Sequence, residues 1–158
     1  MVDNLKPADR RKTMQAVKGK NTRLERRFFS ILAAMRLNGW KKNAADVVGK
    51  PDVVFPTRRV AIFVDGCFWH GCPHCCRKLP ATNRKYWRRK IRRNVALAQS
   101  TNHKLRNAGW TVIRIWEHAL QNPKDLVRIK TRLDAVVKET KRNAHKSRKG
   151  SSRKSPNP

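Results

Sequence analysis

The chain has 158 residues, with 39 Lys+Arg against 10 Asp+Glu and a formal net charge of +29. That length suits one domain with one real core, and no apolar run approaches the roughly 20 residues of a membrane span. All four cysteines fall between Cys67 and Cys76; they are too close together to staple a disulfide framework, so metal ligation is the better default.

A cationic excess of this size points to a polyanionic partner, and nucleic acid is the commonest. On charge alone, a protein that merely neutralises phosphate, as in ribosomes or chromatin, fits equally well. The excess is not confined to the end of the chain: the residues before Lys138 are themselves strongly basic. The polar N-terminus lacks a signal-peptide core. The expected location is therefore the cytoplasm, where thiols stay reduced.

In chain order, Ala8–Val17 reads as a short basic helix. Thr22-Arg23-Leu24-Glu25 is a capping-box pattern, and it opens a helix with Leu24, Phe28, Ile31, Leu32 and Met35 at helical spacing. Gly39 ends it, and a weak strand is expected around Trp40–Asn43. Gly49-Lys50-Pro51 is a loop. Asp52–Phe55 and Val60–Val64 read as strands joined through Pro56-Thr57-Arg58-Arg59. The second is continuously apolar, as in a strand buried on both faces. Paired as a hairpin, Phe55 faces Val60, and Asp52 comes close to the Val64–Asp65 end.

Gly66–Pro80 is a Cys/His loop. Asn83–Ala108 is a long basic helix ended by Gly109, Trp110–Trp116 is a strand, and Pro123 starts an amphipathic helix. From about Lys141 the Lys/Arg/Ser/Pro composition reads as a disordered basic tail. The expected organisation is one domain over 1–140 and a tail over 141–158.

The loop is dense in soft ligands. Zinc takes four sulfur or nitrogen ligands in a tetrahedron. Cys67, Cys72 and His74 could supply three, with Cys75 or Cys76 able to replace any of them. His118, just past the last strand, is the candidate fourth. A closed four-ligand site would be structural.

Several segments together resemble the very short patch repair (Vsr) endonuclease family. They are Gly49-Lys50-Pro51-Asp52, Asp65-Gly66-Cys67-Phe68-Trp69-His70-Gly71-Cys72-Pro73, Leu79-Pro80-Ala81-Thr82, Tyr86-Trp87 with Lys90-Ile91 and Asn94, Gly109-Trp110, and Trp116-Glu117. The likeness runs from about Met14 to Leu120. It implies an α/β fold of the restriction-endonuclease-like PD-(D/E)xK type, with an α-β-β-β-α-β core and a structural zinc loop. It also implies Mg²⁺-dependent nicking of double-stranded DNA beside the thymine of a T:G mismatch. Such mismatches arise from deaminated 5-methylcytosine, so a functional link to a cytosine-5 DNA methyltransferase follows. A monomer is expected.

By this resemblance Asp52 and the Val64 carbonyl hold Mg²⁺, His70 is the catalytic histidine, and Glu25 is a helix acid beside the metal. Cys67, Cys72, His74 and His118 fall on the Zn²⁺ positions. Phe68, Trp69 and Met14 match apolar wedges that enter the base stack. Arg84, Lys85, Arg88, Lys90 and Asn94 are expected on DNA, with phosphate contacts dominating affinity. Two positions depart from the family pattern. Asp65 stands where a histidine can occur, and it could itself help bind metal or share in catalysis. Ala98 stands where the family can place an aspartate near the catalytic histidine. A restriction-like nuclease with another target, and a catalytically weak, zinc-stabilised DNA-binding protein, are the alternative readings.

Overall fold

The computed structural model describes residues 22–75 and 78–150, with side chains described as far as Lys138. The expected helix at Ala8–Val17, together with Met14 and Cys76, lies outside the described residues. The first element is helix α1, Arg23–Ala34. Thr22 caps it: its hydroxyl oxygen accepts the Glu25 N–H at 3.2 Å, which satisfies one of the orphan donors of the first turn. The same hydroxyl donates to Glu25 Oε1 at 2.9 Å. Phe28 and Leu32, one turn apart, carry the buried face.

Strands β1 (Lys41–Lys42), β2 (Val53–Phe55), β3 (Val60–Asp65) and β4 (Thr111–Trp116) form one sheet in that order. β1 and β2 are antiparallel, as are β2 and β3, while β3 and β4 are parallel. The hairpin register is the one the sequence suggests, with Phe55 opposite Val60. A 3₁₀ turn at Pro56–Arg58 makes the connection, with Arg59 left-handed at φ 49°. Parallel strands need a long crossover. Here it consists of the Cys/His loop and helix α2, Arg84–Asn107. After β4 come a short helix α3, Glu117–Gln121, which the sequence reading lacked, and helix α4, Pro123–Gly150.

Side chains alternate across the sheet. Val53, Phe55, Val60, Ile62, Ile113 and Ile115 pack under Phe28, Leu32, Leu120, Leu133 and Val137, so α1, α3 and α4 cover that face. Val54, Ala61, Phe63 and Val112 pack against Leu105 of α2. β3 is therefore covered on both faces, which is why its sequence is apolar without alternation. α4 continues past Lys141, the residue from which composition reads as tail. Lys, Arg and Ala are good helix formers, so such a composition suits a solvated helix as well as a solvated tail. No described helix is long and apolar enough to cross a membrane.

Candidate functional site

At the carboxyl end of β3 the sheet opens into a cleft of about 790 Å³. Asp52, Glu25, Asp65 and His70 all line it, although they come from four separate segments of the chain. Pro51-Asp52 leads into β2, and the hairpin carries the Asp52 carboxylate to the far end of β3. There its Oδ2 accepts the Val64 N–H at 2.7 Å. Burial pushes the Asp52 carboxyl up to about 6, the Val64 N–H opposes this, and the nearby acids Glu25 and Asp65 add to it. Such a set of acids favours a cation. The loop before Asp52 is held close to α2: Gly49 has φ +79°, and a Cβ there would collide with the Thr101 methyl.

Asp65, the last residue of β3, is 3 % exposed. Arg114 of β4 donates through one terminal nitrogen to both carboxylate oxygens, at 2.8 and 2.7 Å. Its Nε donates to Asn102 Oδ1 at 2.9 Å, and its guanidinium lies 4.4 Å from the Phe63 ring centroid. His70 Nδ1 is 3.4 Å from Asp65 Oδ1. Burial lowers the His70 pKa, Asp65 opposes that, and Arg114 reinforces it. Ala98 of α2 lines the same cleft.

The cleft also has an aromatic wall. An extended Phe68-Trp69 segment would send only one ring inward. The segment is instead a turn, closed by the His70 N–H donating to the Gly66 carbonyl at 3.1 Å. Both rings consequently meet Trp87, each with its centroid 5.6 Å away. Tyr86 adds an exposed edge beside Trp87. Lys90 Nζ lies 5.0 Å from the Trp69 centroid, a cation–π geometry. The Asn94 amide donates to the Trp69 carbonyl at 2.9 Å, so it fixes the turn as well as facing the cleft. Arg84, Lys85 and Arg88 stand exposed on the first turns of α2.

Behind the turn, Cys67, Cys72, Cys75 and His118 place their ligand atoms within 4.8 Å of one another. His118 Nδ1 lies 3.2, 3.6 and 3.2 Å from the sulfurs of Cys67, Cys72 and Cys75. A tetrahedral ion with zinc-like bonds spaces its ligands about 3.3–3.8 Å apart, so this donor set fits. The group contains Cys75 where His74 was the expected member. Pro73-His74 forms a tight turn with His74 exposed, and the chain comes back inward only at Cys75. Burial pushes the Cys67 thiol up to about 11, with Cys75 and Cys72 adding to the rise; a dication among the sulfurs would reverse that. The Cys67 N–H donates to Glu117 Oε2 at 3.1 Å, tying the loop to α3.

Arg114 and Asn102 were not singled out from sequence; Cys75 was named there only as a replacement ligand, and Trp87 and Glu117 only within matching segments. The Cys75 signal was its two-residue spacing from Cys72, a common zinc-ligand interval. Arg114 sits at a polar position of an alternating strand, which reads as solvent-facing.

Residues 2–78 match the family model described as DNA mismatch endonuclease Vsr. The chain is 41 % identical over 139 residues to the type II nicking enzyme V.XorIIP of Xanthomonas oryzae pv. oryzae, covering 87 % of this chain and 98 % of that one. It is 36 % identical over 127 residues to the DNA mismatch endonuclease Vsr of Escherichia coli K12, covering 80 % of each. A shorter match, 56 % identical over 69 residues, joins it to the type II nicking enzyme V.NaeI of Lentzea aerocolonigenes; it spans 44 % of this chain and 41 % of that relative's length.

Proposed function

The chain belongs to the Vsr family, and from that membership we propose that it nicks one strand of duplex DNA beside the thymine of a T:G mismatch. It is a DNA endonuclease, a hydrolase of the phosphodiester bond. The observation that carries the reading is the convergence of Asp52, Glu25, Asp65 and His70 on one cleft walled by aromatic rings and flanked by the basic helix α2.

Asp52 is the metal-binding carboxylate, with the Val64 carbonyl beside it and Glu25 completing the acidic edge. Magnesium held there would supply the charge that stabilises the phosphate as it is attacked. His70, kept neutral by burial, takes a proton from the attacking water. Phe68 and Trp69 present ring edges to a base step, where unstacking costs a few kcal/mol and least at a mismatch. Lys90, Arg84, Lys85 and Arg88 neutralise phosphates along α2. The sheet and its flanking helices belong to the restriction-endonuclease-like class. The Cys67–Cys72–Cys75–His118 group holds a structural zinc that fixes the loop bearing the rings and His70. The protein acts as a monomer, alongside a cytosine-5 methyltransferase whose deaminated product it recognises.

The test is a nicking assay on duplexes carrying T:G, T:A or C:G at one position, with Mg²⁺ or with chelator. Mg²⁺-dependent nicking at T:G alone is the expected result. Cleavage of matched duplexes would instead mark a restriction-like nuclease. Tight binding without cleavage would mark a DNA-binding protein.

A further inference from the structure

We propose that Arg114 and Asp65 form a clamp that fixes the tautomer and orientation of His70. The inference rests on His70 being the base of the proposed reaction, and it assigns Asp65 a positioning role in place of metal ligation.

Asp65 is a carboxylate buried at the floor of a polar cleft, an arrangement that is seldom worth its desolvation for stability alone. Arg114 binds both of its oxygens. Arg114 in turn has no freedom to leave, because Asn102 of α2 takes its Nε and the Phe63 ring covers its guanidinium. Three elements thus converge to hold one carboxylate. With both oxygens engaged by a fixed cation, Asp65 is poorly placed to ligate a metal, which leaves that work to Asp52 and Glu25.

Asp65 also faces His70. Its Nδ1 is buried and lacks an aligned hydrogen-bond partner among the described residues, and Asp65 Oδ1 lies 3.4 Å away. Catalytic hydrogen bonds are commonly long in a free enzyme and tighten with substrate. A small rotation of the ring brings Nδ1–H onto Oδ1. That tautomer leaves Nε2 as the unprotonated nitrogen, the one able to accept a proton.

Arg114 only donates, and one of its nitrogens faces both Asp65 oxygens. In Asp65→Ala no acceptor faces Nδ1, so the proton is no longer held there and the two tautomers mix. Asp65→Ala/Arg114→Met removes the buried cation as well, so no charge is left unpaired.

The experiment is ¹⁵N NMR of the His70 ring nitrogens in full-length protein without DNA, paired with single-turnover nicking of a T:G duplex. The expected wild-type spectrum shows Nδ1 protonated and Nε2 bare. Asp65→Ala should mix the two signals and slow nicking about 100- to 10,000-fold, with duplex affinity within about threefold of wild type. The double variant should show the same mixed signals. A wild-type His70 carrying its proton on Nε2 would overturn the clamp, as would an Asp65→Ala spectrum identical to wild type. The wild-type spectrum decides even if the single variant fails to fold. If wild-type protein nicks no duplex, the proposed reaction falls, while the nitrogen signals still decide the clamp.

Discussion

Two polar centres share the loop that follows β3, and they are built in opposite ways. The sulfur centre is closed and mostly local: Cys67, Cys72 and Cys75 come from nine consecutive residues, and only His118 is distant. The cleft is open and assembled from far apart, with Glu25 from α1, Asp52 from the edge of β2, Asp65 from β3 and His70 from the loop. A closed set of soft ligands suits an ion that stays in place. An open set of oxygens around a buried, hard-to-ionise carboxylate suits a cation that comes and goes with substrate. One short segment thus carries soft donors on its inner side and His70 and the rings on its outer side.

The largest expected effect lies on the closed side. Purified protein should hold about one zinc per chain by metal analysis. Cys75→Ser should lose it and unfold the loop, lowering the melting temperature and abolishing nicking, because site formation and folding are one equilibrium. His74→Ala should keep the zinc and the melting temperature. If His74→Ala lost the zinc and Cys75→Ser kept it, the assignment would be reversed. On the open side, Asp52→Asn should lower nicking at least about 1,000-fold, the scale of a lost metal-ion contribution, while gel-shift affinity for the duplex changes little. Retained nicking in that variant would remove Asp52 from the chemistry.

Acidity separates the two centres further. The Asp52 value of about 6 lies above its ordinary 3.8, so the folded chain holds this proton longer than the unfolded chain does. The stabilisation is full below about pH 3.8 and is lost as pH rises through 6. In metal-free protein, Asp52→Asn should therefore raise the melting temperature at pH 8 and leave it nearly unchanged at pH 3.5. A gain confined to low pH would reverse the sign. In the wild-type enzyme at subsaturating Mg²⁺, nicking should fall as pH drops below about 6, where protons compete with the cation for Asp52. The smallest effect belongs to the exposed rim. Arg84→Ala/Arg88→Ala should weaken binding to T:G and T:A duplexes alike and reduce the salt slope of log K by about 2. A change in mismatch preference would instead place these residues at the base pair.

Much of this was legible in sequence because it follows from period and punctuation. The apolar run of β3 and the four-residue connection before it set the Phe55–Val60 register, and that register alone brings Asp52 to Val64. His118 was legible as the distant residue that joins the Cys/His group from beyond β4. Cys75 and His74 were not separable, because neighbouring residues point opposite ways through a turn whose geometry the spacing does not encode. Arg114 was hidden for a different reason. Strand alternation tells which face a side chain occupies, and here the polar position opens into a cleft. The shared placement of the Phe68 and Trp69 rings against Trp87 was hidden too, since strand alternation says nothing about a turn.

The contact between Gly49 and Thr101 sets a dimension. Gly49 precedes the segment carrying Asp52, and Thr101 stands one turn beyond Ala98 on the opposing helix. Nothing but a glycine hydrogen separates the two walls at that point. The aperture of the cleft is thus gauged by a hard contact and not by a flexible side chain. Even one added methyl at position 49 would act as a shim, prising the Asp52 edge away from the helix and widening the gap that a phosphodiester must span.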